Sequence, residues 1–202
     1  MKKGVLFSLS GISLAMLLLW VNTTGEITHG PGIMAPDTPV QTTSSLSSPF
    51  EFNGYQITPL AQFEVHARVL SRKNYSRGRE ADLSPVDLAL GWGPMSDEAN
   101  LNQIRIRQSN RFYFWKVDRF PIPRNEIEHN SANMHFIPAN DLVKKELKKV
   151  RKGDIVAFSG YLIRADGHDG WRWISSLTRT DTGNGACELI FVESFEIVTP
   201  DL

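Results

Sequence analysis

The sequence predicts a mainly β domain with one or two helices, an α+β arrangement preceded by an N-terminal transmembrane helix. Three observations lead there. Residues 4–21, GVLFSLSGISLAMLLLWV, run without a charge behind Met1-Lys2-Lys3. Several later stretches alternate apolar and polar residues with the period of two that marks a half-buried strand. Asn140 to Val150 has instead the spacing of an amphipathic helix.

The apolar stretch comes first. A secretory signal has an apolar run of roughly 7–15 residues and then a small-x-small cleavage site. Here the run is longer and ends in WVNTTGE, without Ala-x-Ala. About 18 apolar residues are near the lower limit for crossing a bilayer. Residues 1–21 therefore read as an uncleaved signal anchor, with a cleaved signal peptide as the alternative. Lys2 and Lys3 precede the stretch and no Lys or Arg follows until Arg68. By the positive-inside tendency the N-terminus stays in the cytoplasm and the rest is exported. The expected location is the inner membrane, single-pass, with the C-terminal domain in the periplasm, or secreted if the signal is cleaved. Residues 22–49 are rich in Thr, Ser, Pro and Gly without periodicity and read as a flexible linker. Residues 50–202 form the expected globular domain.

Charge narrows the partners. Lys2, Lys3, Glu26 and Asp37 are the charged residues before position 49, and of the chain's 22 basic and 22 acidic residues the 20 of each sign beyond them remain balanced. Zero net charge gives no overall footprint for nucleic acid, which is not an expected partner. Cys187 is the sole cysteine, so no disulfide can form within the chain.

Within the domain, the first strand pattern is centred on Phe63, Val65, Ala67 and Val69. Ser84-Pro85 suggests a short helix stopped by Gly91 and Gly93, and Ser96-Asp97-Glu98 a second helix start with early acids. IRIRQSNRFYFWKV, 104–117, reads as the strongest strand, provided Ser109-Asn110 continues it. Residues 119–139 read as loop and short extended pieces between Pro121, Pro123 and Pro138. Asn140 or Asp141 caps a helix whose Val143, Leu147 and Val150 share one face, and Gly153 ends it. A strand follows from Asp154 with Gly160 inside it, a sign of a bulge or bend. WRWISSL (171–177) and CELIFVESFEIV (187–198) complete the pattern.

Three strand candidates, a helix, then "KGDIVAFSGYLI" and a terminal strand resemble the OB-fold, a five-stranded β-barrel with its helix between the third and fourth strands. The likeness spans roughly residues 60–198, with an insertion at 76–103 and an extra strand near 171–177. The whole chain also resembles uncharacterised bacterial membrane-anchored or exported proteins, which implies no particular activity.

Several groups are candidates for chemistry. Asp181-Thr182-Gly183 matches the aspartic-protease triplet, but the polar Leu177-Thr-Arg-Thr before it and the absence of a second triplet favour a turn. His129 and His135, with Glu126 and Glu128, are a weak metal-ligand set lacking helical i, i+4 spacing. Cys187 is a weak nucleophile candidate with His129, His135 or His168 as base, although its phase with Leu189 and Phe191 points it at the core. Lys144, Lys145, Lys148, Lys149, Arg151 and Lys152 form a basic face, suited to solvent or to anionic headgroups. Trp92, Tyr113, Trp115, Trp171 and Trp173 suit a stacking platform, by analogy with OB-like faces, and Trp92, Trp171 and Trp173 with Arg105, Arg107 and Arg111 are the candidate binding surface. The leading expectation is a membrane-tethered periplasmic binding or accessory domain without catalysis or cofactor, whose partner is an envelope protein, a glycan or an anionic ligand. A Cys- or metal-dependent hydrolase and a purely structural accessory subunit are the alternatives.

Overall fold

Ten strands and four short α-helices follow one another along residues 25–178 and 187–199, the part of the chain that the computed structural model describes. The expected anchor at 1–21 and the Asp181-Thr182-Gly183 turn lie outside these residues. The strands are β1 Val40–Thr42, β2 Phe50–Phe52, β3 Tyr55–Asn74, β4 Val86–Gly91, β5 Ile104–Ser109, β6 Phe112–Val117, β7 Ser131–Pro138, β8 Ile155–Gly167, β9 Arg172–Ile174 and β10 Glu188–Val198. The helices are α1 Arg79–Leu83, α2 Glu98–Leu101, α3 Arg124–His129 and α4 Asp141–Lys149.

The fold is mainly β. Antiparallel pairs join β3 to β4 and β4 to β7, β7 runs parallel to β10, and antiparallel pairs join β10 to β8 and β8 back to β3. Strands β1 and β2 add to β3, and β9 adds to β8. Alternation places Phe63, Val65, Leu88, Leu90, Met134, Phe136, Phe158, Ile190 and Val192 in one apolar cluster with Val143, Leu147 and Val150 of the α4 segment. The Asn140 side chain accepts from the Val143 N–H at 3.0 Å, so the expected helix and its cap are both present.

The other strand faces are covered as well. Leu189 and Phe191 pack with Tyr55, Ile57, Ile163, Trp171 and Trp173, and Ala89 packs with Met95, Ile104 and Ile127. Covering both faces explains why β4 and β7 escape the period-two pattern. VDLALG, expected to start a helix at Ser84-Pro85, is strand β4, and all six of its residues are buried. SANMHFIP, expected as loop, is strand β7. Stretch 104–117 is a hairpin rather than one strand, because Asn110 and Arg111 both take positive φ, 50° and 68°, in a two-residue loop. The N-cap near Ser96 is Asp97, whose carboxylate accepts from the Ala99 N–H, while Ser96 Oγ accepts from the Met34 and Ala35 N–H groups.

Two glycines mark close approaches. A Cβ at Gly160 would collide with the Phe191 carbonyl oxygen, where β8 faces β10 just before the β10 bulge between Val192 and Ser194. Gly153 has φ +93°, and a Cβ there would strike the Ile27 carbonyl oxygen. That second contact belongs to the stretch expected as linker. Ile27 N–H donates to the Lys152 carbonyl at 2.8 Å, Gly32 N–H to Asp97 at 2.9 Å, and β1 pairs with β3, so residues 27–42 run against the domain.

Candidate functional site

The chain between β4 and β7 leaves the main sheet and lays the β5–β6 hairpin against the outer face of β4 through Ile104, Met95 and Ile127. Arg111, in the hairpin turn, fixes it there. Its Nη1 contacts the fully buried Asp87 Oδ1 at 2.6 Å and its Nη2 donates to the Ser84 carbonyl at 2.9 Å. The guanidinium lies 3.7 Å from the Tyr75 ring centre and 5.6 Å from that of Trp173. His135 Nδ1 stands 3.0 Å from the same Asp87 oxygen, with its ring 4.9 Å from Trp173. Gln108 donates to Asn133 Oδ1, and Asn133 Nδ2 donates to the Arg111 carbonyl, which ties hairpin to β7. Tyr113 does the same through a 3.0 Å hydroxyl contact with Ser131, and burial pushes its phenol up to about 12.

A cavity of about 610 Å³ opens beside this junction. Trp92, only 1% exposed, is at its base, and among the described residues nothing accepts from its indole Nε1–H. One wall is formed by residues 112–117, all six residues of β6, and β5 contributes none. Consecutive residues of both side-chain parities can line one space only if it runs along the strand's edge. The opposite wall is Ser131, Ala132 and Asn133 of β7 with Cys187 and Glu188. Phe114 and Phe120, 41% and 49% exposed, stand at the rim, and Phe120 packs edge-on to Trp115 at 6.1 Å.

The hairpin geometry identifies the groups on that edge. A two-residue loop makes Ser109–Phe112 a hydrogen-bonded pair, so the next such pairs are Arg107–Phe114 and Arg105–Lys116. Tyr113, Trp115 and Val117 then turn their N–H and C=O groups outward. Among the described residues none forms a backbone hydrogen bond to these three outside the hairpin. Among the described residues the result is an open strand edge facing an aromatic-walled cavity, the arrangement that accepts an added strand.

The six residues expected as one binding surface are divided by the fold. Trp92 is at the base of the cavity. Arg111, Trp171 and Trp173 share the cluster around Asp87, where Trp171 is T-shaped to Trp173 at 6.2 Å and lies under the Arg79 guanidinium. Arg105 and Arg107 are exposed on β5, the first paired with Asp118 at 2.7 Å and the second stacked on Phe114. The weak catalytic candidates are divided too. His129 and Cys187 border the cavity, whereas His135 is buried beside Asp87. Cys187 Sγ lies 3.7 Å from both Asn133 Nδ2 and the Arg111 carbonyl oxygen. Among the described residues no three His, Cys, Asp or Glu side chains gather as a metal-binding group. Asp87 and Asn133 are not singled out by the sequence. The one signal was Asp87 itself, a lone acid inside an apolar run.

No protein-family model matches the chain, and no curated protein or solved structure matches it either.

Proposed function

We propose that the chain is a membrane-tethered periplasmic binding domain, without catalysis, that takes an extended segment of an envelope protein along β6. The framework is read as an OB-like β-barrel. Supporting this, the β3–β4–β7–β10–β8 pairings return to β3, the β7–β10 pair is parallel, and α4 lies between the third and fourth strands of that ring. The apolar stretch 4–21 behind two lysines supports the tether.

One observation carries the binding reading: a cavity lined by six successive β6 residues, with the Tyr113, Trp115 and Val117 edge unbonded among the described residues. A strand laid there gains main-chain hydrogen bonds from the edge, and alternate side chains enter the cavity. Trp92 Nε1–H offers such a segment a buried donor. A glycan would use the aromatic walls but not the edge, so the protein segment is the better fit.

The test is selection of a phage-displayed random dodecapeptide library on the full chain in lipid nanodiscs. Enriched peptides should alternate apolar and polar residues, and they should lose affinity for Val117→Pro, which lacks one edge N–H. Peptides that bind Val117→Pro and wild type equally, or no enrichment, would defeat the proposal. A thiol hydrolase is the competing reading, because Cys187 and His129 border the same cavity.

A further inference from the structure

Residues 27–42 are held against the domain, so any anchor at 4–21 is joined to it by very little chain. Glu26 pairs with Lys152 at 2.7 Å, Ile27 N–H donates to the Lys152 carbonyl, and His29 Nε2 contacts the Gly153 carbonyl at 2.8 Å. From Val21 to Glu26 the chain reaches at most about 18 Å. If residues 4–21 cross a bilayer, the corner formed by Glu26 and Lys152 lies within that distance of its surface.

Helix α4 ends at Lys149, three residues before that corner, and is about 13 Å long. Its inner face, Val143 and Leu147, is buried in the core. Its outer face carries exposed Lys144, Lys145, Lys148 and Lys149, together with Leu142, which is 75% exposed. Lys149 pairs with Glu146, Arg151 with Asp154 and Lys152 with Glu26. Among the described residues Lys144, Lys145 and Lys148 pair with no carboxylate. Three unpaired lysines across an outer face that also carries Asp141, with exposed Leu142 at its margin one turn from Lys145, suit the boundary of an anionic bilayer, with the ammonium groups at the phosphates.

We infer that α4 rests on the anionic headgroups of the membrane that anchors the chain. This rests on the tether proposed above, and adds to it an orientation. Strand β7 ends at Pro138, just before α4, and begins at Ser131 on the cavity wall, about 23 Å away along the strand. With α4 on the lipid, the cavity and the β6 edge open toward the aqueous side, where a partner strand can reach them.

The test uses the full chain in nanodiscs, in a Cys187→Ser background, with an environment-sensitive fluorophore at single introduced cysteines. The positions are Leu142→Cys on α4, Glu26→Cys at the tether and Arg119→Cys on the loop after β6. The probe is headgroup spin-labelled lipid in phosphatidylcholine discs with or without 30% phosphatidylglycerol. The expected result is quenching at 142 several-fold above that at 119, greater with phosphatidylglycerol, and reduced toward the 119 value by Lys144→Glu, Lys145→Glu and Lys148→Glu together. Equal quenching at 142 and 119, or quenching at 142 indifferent to lipid charge and to the lysines, overturns the α4 contact. Strong quenching at 26 in that case leaves the tether standing. Absence of quenching at 26 overturns tether and orientation together.

Discussion

The Arg111–Asp87 contact is the attachment on which the cavity depends, and its removal has a calculable cost. Asp87 is fully buried and the guanidinium is 2.6 Å away. With about 4 Å between charge centres and an effective dielectric near 20, the pair is worth about 4 kcal/mol. Arg111→Met keeps the apolar stem but leaves the Asp87 carboxylate buried beside His135 without its cation. Breaking one side of a buried pair costs about 3–5 kcal/mol. At an m-value of about 2 kcal/mol per molar, the urea midpoint should fall by about 2 M. The assay is equilibrium unfolding of the full chain in nonionic detergent at pH 7, followed by tryptophan fluorescence. Adding Asp87→Leu should restore most of the loss, because two apolar residues of similar size often replace a buried pair at little cost. A midpoint shift below about 0.5 M for Arg111→Met, or a cycle with coupling under about 0.5 kcal/mol, would show that the hairpin is held by its apolar contacts instead.

Two further predictions concern the segment 27–42 and the thiol. Burial pushes the Glu98 carboxyl up, but the His29 N–H and the Arg68 guanidinium outweigh it and hold the group below its ordinary value. A carboxylate depressed in the folded state contributes stability above its unfolded pKa, about 4.3, and loses it as pH falls through the lower folded value. The His29 amide should therefore lose hydrogen-exchange protection on acidification below about pH 4, and Glu98→Gln should abolish that dependence; protection unchanged in wild type down to pH 3 would contradict it. Cys187, half-buried against Asn133 and the Arg111 carbonyl, should react with iodoacetamide more slowly in the folded chain than after denaturation. Labelling faster than free cysteine would instead support the thiol hydrolase.

The sequence was most legible where one local rule decides the outcome. Asn140, Val143 and Leu147 describe α4 because a cap and one apolar face suffice to make a helix, although it ends at Lys149 with Val150 as C-cap rather than at Gly153. Strands β8 and β10 were legible as apolar runs with strand-forming residues. Strands β4 and β7 were not, since apolar clusters on both sides of the sheet bury both of their faces and erase the alternation. The β5–β6 turn was hidden because Asn110-Arg111 lacks the glycine that such a loop usually carries, and Arg111 takes positive φ where Asp87, Tyr75 and Ser84 all hold it. The linker composition of 22–49 gave no sign of its contacts, which come mainly from backbone groups meeting Ser96, Asp97, Glu98 and Lys152. The cavity itself had no sequence signal. It exists because, among the described residues, β6 has a partner on only one edge, and the β4–β7 pairing across the 39 residues 92–130 is a tertiary fact.

The most direct measurement is residue-resolved amide hydrogen exchange on the full chain in nanodiscs, with and without a peptide selected from the dodecapeptide library. Tyr113, Trp115 and Val117 should gain protection on binding, while Phe114 and Lys116, already bonded to β5, should change little. Protection gained at the Trp171–Trp173 cluster with Tyr113, Trp115 and Val117 unchanged would contradict it.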